Sequence, residues 1–125
     1  MREYTQALMN SDLTLSPVGK NSECYRIYEA MSLGSVPVIE DKVTPGECGK
    51  KHSVDMAPYR LLKTHNVPVI YVKSWNELPE VLEREKLLSL EEVVARRKTL
   101  IKWYHDFKLE MRNKFYEVLN EKCFS

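Results

Sequence analysis

The order of apolar runs and helix-like segments predicts an α/β domain built on a parallel sheet with flanking helices. Two observations carry this. Short apolar runs at 13–17, 36–40 and 67–72 read as strands, and the stretches between them are long enough for right-handed crossovers. The run "VPVIE" (36–40) is apolar on both faces, as a strand buried between two layers of helices is.

In chain order, "YTQALMN" (4–10) reads as the end of a helix, and "LTLSP" (13–17) as a short strand closed by Pro17, which has no N–H for a ladder. Gly19 opens the turn that follows. The spacing then predicts a helix over 22–33, with Asn21 or Ser22 as N-cap and Gly34 as the left-handed stop. After the strand at 36–40 comes the loop "DKVTPGECGKKHSVD", then a helix over 56–65 and a third strand, "VPVIYV" (67–72). Further helices are predicted over 75–85 and 90–119. Doubly wound domains usually have five or six strands, and this chain shows three and begins inside a helix. The expectation is therefore the C-terminal piece of something larger: a partial α/β domain over 1–88 and a C-terminal helical segment over 89–125.

Composition removes several classes of function. A formal net charge of +1 gives no field for nucleic acid or an anionic membrane surface. No apolar stretch approaches the ~20 residues needed to span a bilayer, and "MREYTQALMNSD" lacks the pattern of a leader. Cys24, Cys48 and Cys123 form no CxxC pair, and His52, His65 and His105 are scattered, so no metal site is expected.

The helix at 22–33 has two faces. Cys24, Ile27, Tyr28 and Met31 fall at i, i+3, i+4 and i+7, the stripe that packs on a sheet. Ser22, Arg26, Glu29 and Leu33 form a second stripe, so Arg26 and Glu29 point the same way, off the core. The end of the first strand, a glycine turn and a helix N-terminus meet here. Open α/β sheets bind ligands at that edge, and free N–H groups at the positive end of the helix favour a phosphate. Two readings stay open. One is a solvated Arg/Glu pair contributing about 0.2–0.5 kcal/mol; the other is a cleft for a phosphorylated, hydroxylated ligand. "PVGK" is not a P-loop, lacking the spaced glycines and the following Ser or Thr.

Ser16-Pro17, Gly19, "ECYRIYEA", Gly34 and "SVPVIED" together resemble the nucleotide-sugar half of the exostosin-like GT-B glycosyltransferases. The run 11–41, with "APYRLLK" and "WNELPEVLE" later, is similar to the xylose-transferring members, and the likeness covers most of the chain. The resemblance implies a Rossmann-like C-terminal donor domain. It also implies that Arg26 contacts the donor diphosphate, that Glu29 accepts hydrogen bonds from the ribose hydroxyls, and that Gly19 lets backbone amides approach the phosphates. Ser16, Lys20, Glu23 and Asp41 join them as further donor-binding candidates. Cys24 stands where these enzymes commonly carry a serine. The implied donor is UDP-xylose and the implied acceptor a ribitol-phosphate glycan, the O-mannosyl glycan of α-dystroglycan. The implied location is the lumenal side of the Golgi membrane, and no cofactor or metal is expected, the arginine and the helix dipole replacing a cation.

The general base is expected outside this chain, so the fragment alone should be inactive. Implied partners are the missing N-terminal domain, a second copy, or other Golgi glycosyltransferases. Two alternatives remain: an exostosin-like glucuronyl- or N-acetylglucosaminyl-transferase, and a non-catalytic α/β interaction domain in which Arg26 and Glu29 pair with each other. Asp41 and the loop carrying Cys48 and His52 either border the sugar or form a surface lid. Along 90–119 apolar residues recur at steps of three and four, but Trp103, Phe107, Leu109 and Tyr116 widen the stripe beyond one face. Residues 100–119 are expected to expose an apolar patch.

Overall fold

The computed structural model describes residues 1–19, 23–42 and 59–124. Among these, α1 (Arg2–Met9) leads into β1 (Leu13–Ser16), α2 (Tyr25–Leu33), β2 (Val36–Glu40), α3 (Arg60–Thr64) and β3 (Ile70–Val72). A 3-10 turn (Trp75–Glu77) runs into α4 (Leu78–Lys86), and α5 (Leu90–Cys123) follows. The three strands are parallel in the order β1-β2-β3. The parallel α/β architecture expected from the sequence is thus present.

The central strand is buried along its whole length, as its apolar run requires. The two faces of the sheet carry separate cores. Ile39 packs with Ile27 and Met31 of α2, Leu62 of α3 and Leu100 of α5. Val38 and Val72 pack with Val81 of α4, edged by Trp75 and Leu78. Helices therefore cover both sides. β3 is shorter than its apolar run because the Val67 N–H donates to Leu62 O at 3.1 Å, serving the exit of α3 instead of the ladder.

Helix α2 begins later than the sequence predicted. Its N-cap is Cys24, whose backbone is extended and whose side chain makes no capping bond; Asn21 and Ser22 lie outside the described residues. The stop is where expected, at Gly34, with φ 81°. Only glycine fits there, since a Cβ would lie 2.3 Å from Arg97 Cγ. Arg97 donates to Leu33 O at 2.8 Å and to Ser11 O at 2.7 Å. It thereby satisfies a last-turn carbonyl of α2 and clamps α5 to the domain.

Capping boxes open both C-terminal elements: Ser74 with Glu77, and Ser89 with Glu92. α5 has 34 residues, or about 51 Å at 1.5 Å per residue. Leu100 is fully buried. The Trp103 indole N–H donates to His65 O at 3.2 Å, and the ring stacks on Phe107 with centroids 5.0 Å apart. Beyond Phe107 the environment changes: Leu109, Phe115, Tyr116 and Val118 are exposed. The apolar patch expected over 100–119 is therefore concentrated in the latter part of that range. No helix among the described residues is long and apolar enough to cross a membrane.

Candidate functional site

β1 stops at Ser16 because Pro17 cannot donate to β2. The chain leaves the sheet at its C-terminal edge through Val18 and Gly19, and α2 starts at Tyr25. The first turn of α2 holds Arg26, no acidic residue, and no side-chain cap. Among the described residues no side chain caps this N-terminus, the Ile27 N–H turns back to Cys24 O at 3.3 Å, and the turn lies at the positive end of the helix dipole. Arg26 and Glu29 are both exposed, off the buried set Ile27, Ala30 and Met31, as the stripe analysis predicted.

Glu29 is nevertheless engaged. It accepts the Tyr4 hydroxyl at 2.6 Å, which ties α1 to the outer face of α2. That bond is the main reason the Tyr4 phenol is held above its ordinary pKa, and the neighbouring Arg26 guanidinium opposes the rise. Arg26, Glu29 and Tyr4 thus form one polar group. Glu23, just ahead of the helix, accepts the Tyr28 hydroxyl, and partial desolvation pushes its carboxyl above the usual range.

The other predicted residues are distributed around the rim. Gly19 is exposed, and a Cβ there would meet none of the described residues within 4 Å, so their packing does not demand glycine at that position. Ser16 is only 1% exposed and lies below the rim. Ser16 and Tyr71 both register with Ile39 and so share a face of the sheet. Among the described residues neither hydroxyl has a hydrogen-bond partner. Burial and the Asp41 charge push the Tyr71 phenol up to about 12. Asp41 receives the Lys63 ammonium at 2.6 Å, and that ammonium also lies over the Tyr71 ring. Lys20, Cys48 and His52 lie outside the described residues.

Two features escaped the sequence. Tyr4 is 25 positions from its partner Glu29, beyond any local pattern. Glu40 ends β2 only 5% exposed, yet accepts from Val18 and Trp75 and pairs with Lys42. An acidic residue closing an otherwise apolar strand is the signal that could have marked it. A depression of about 360 Å³ lined by Met1, Arg2, Thr5, Gln6 and Met9 shares no residue with this edge.

The fold and the edge define the class: a helix-covered parallel α/β domain whose charged groups cluster beyond the C-terminal ends of its strands. Residues 1–124 match the family described as RXYLT1 C-terminal domain, and the chain belongs to that family. It is 52% identical over 99% of its length to mouse ribitol-5-phosphate xylosyltransferase 1. The human protein of the same name is 52% identical over 95% of this chain, and the zebrafish one 52% over 98%. The chain spans 28%, 27% and 28% of the length of those three relatives. No solved structure matches it.

Proposed function

We propose that these residues form the donor-binding part of a xylosyltransferase that moves xylose from UDP-xylose to the ribitol-phosphate of an O-mannosyl glycan. Identity to the named xylosyltransferases, at 52% over nearly the whole chain, is the observation that carries the reading. The uncapped first turn of α2 with Arg26 in it supports the same assignment. The guanidinium fork suits a diphosphate, and with the helix N-terminus it would stabilise the charge that develops on departing UDP. No metal need share that task. Glu29 takes the ribose hydroxyls and Gly19 allows close approach, with Lys20, Glu23, Ser16 and Asp41 as further donor-binding candidates. The general base that deprotonates the acceptor hydroxyl comes from outside this chain. The segment 1–88 acts as a Rossmann-like, GT-B-type donor domain, and 89–125 reaches the rest of the enzyme. The enzyme would work in the Golgi lumen on α-dystroglycan.

UDP titration of the complete enzyme tests this. Arg26→Ala removes charge-assisted hydrogen bonds worth about 1.5–3 kcal/mol, so UDP affinity should fall roughly 10–150-fold. Equal UDP binding by mutant and parent removes the assignment. A competing reading comes from the Tyr4–Glu29 bond, which gives Glu29 a purely structural task. Glu29→Gln separates the two: it should weaken UDP and spare pyrophosphate if the ribose role holds. Reduced stability with unchanged UDP affinity would assign Glu29 to the α1–α2 contact alone.

A further inference from the structure

A carboxylate as deep as that of Glu40 persists only when its oxygens are satisfied. Its partners come from three separate segments. Oε2 accepts the Val18 amide N–H at 3.1 Å and the Trp75 indole N–H at 3.0 Å, and Oε1 pairs with the Lys42 ammonium at 2.9 Å. Val18 follows β1, Lys42 follows β2, and Trp75 opens the turn after β3. One side chain therefore gathers the exits of all three strands.

Pro17 explains why a side chain is needed. The β1–β2 pairing ends at Ser16 and Ile39, and Val18 carries the next amide N–H in the chain. Glu40 supplies the acceptor that the ladder no longer offers, and so fixes the path by which the chain leaves for Gly19. Lys42, with help from the Val18 and Trp75 donors, holds the carboxyl below the usual range, so it is ionised at neutral pH. The Lys42 ammonium also offsets a negative charge that would otherwise repel a phosphate at this edge.

We propose that Glu40 is a positioning residue of the donor site: by holding Val18 it places the Gly19 backbone for the approach of a nucleotide-sugar diphosphate, without touching the donor. The proposal rests on the reading of Arg26 and Gly19 as diphosphate contacts.

The test is UDP titration and transferase kinetics on the complete enzyme, with Glu40→Gln, Glu40→Ala, Trp75→Phe and Arg26→Ala beside the parent. Glutamine keeps an oxygen for Val18 and Trp75, so the donor KM should stay within about twofold of the parent. Alanine removes the acceptor. The donor KM and UDP Kd should then rise roughly 10–100-fold, with kcat at saturating donor and the acceptor KM nearly unchanged. A solely structural Glu40 would instead lower the amount of folded enzyme, and hence kcat, while the donor KM stayed at the parent value; that result overturns the proposal.

If the alanine variant does not fold, Trp75→Phe decides, since it removes one donor to the carboxylate and keeps a ring in the core. Faster amide exchange at Val18 together with a raised donor KM supports the role, and faster exchange with an unchanged donor KM overturns it. Arg26→Ala separates the two possible failures. If it weakens UDP and Glu40→Ala does not, only the positioning role falls. If neither weakens UDP, the donor-site reading falls as well.

Discussion

Over its first half α5 is fastened to the domain at three successive points: Arg97 donates to Leu33 O and Ser11 O, Leu100 is fully buried, and Trp103 donates to His65 O. Over its second half the same helix carries Phe115, Tyr116 and Val118 at more than half exposure. The apolar spacing continues through both halves; what differs is whether a surface lies opposite. Periodicity thus specifies that a helix has an apolar face, and the neighbouring elements specify which part of that face is core. Under the proposed function, the uncovered half is the part that reaches the rest of the enzyme.

The comparison breaks first at Leu100. Leu100→Ala removes a fully buried side chain where α5 meets α2 and should cost about 2–5 kcal/mol, read from the urea midpoint. Gly34→Ala forces a side chain into a left-handed position against Arg97, at about 1–3 kcal/mol. Arg97→Ala leaves the Leu33 and Ser11 carbonyls without their charged donor and should also cost about 1–3 kcal/mol. Because the Gly34 clash is with Arg97 itself, the double mutant should be more stable than the sum by about 0.5–3 kcal/mol. Strict additivity would show that the contact does not limit residue 34.

On the uncovered half the expected effects are smaller. Phe115→Ser should change stability by no more than about 0.5 kcal/mol while reducing binding of a hydrophobic dye. A larger loss would show that Phe115 packs on more than its helix neighbour Tyr116, whose ring centroid lies 6.2 Å away. The smallest effect is electrostatic. Lys114 first, and His65 second, hold the Glu110 carboxyl below its ordinary value of 4.5. A depressed carboxylate contributes stability that is complete above that value and lost as pH falls through the lower folded value. Glu110→Gln should therefore flatten the acid limb of the stability curve below about pH 4.5.

Local rules made much of this legible. An apolar run bounded by Gly34 and an acidic residue located β2, and helical spacing put Arg26 and Glu29 on the outer face of α2. The start of α2 was misplaced because capping preference favours Asn or Ser over Cys, whereas the backbone bends into the helix at Cys24. The bonds that shape the site were out of reach of any window: Tyr4 to Glu29, Glu40 to Val18 and Trp75, and Arg97 to Ser11. Each joins residues from different elements, and nothing in the intervening spacing encodes which donor will find which acceptor.

The Arg97 clamp also bears on the order of folding. Neighbouring strands join elements consecutive in the chain, whereas Arg97 to Ser11 closes a span of 86 residues. Closing so long a span costs more chain entropy than any of the strand crossovers. This predicts that the sheet and α2 assemble first and α5 docks afterwards, an order that folding-rate changes in Leu100→Ala would test. The second half of α5 carries exposed apolar side chains, so its amides should exchange with solvent hydrogen before those of the buried strand β2.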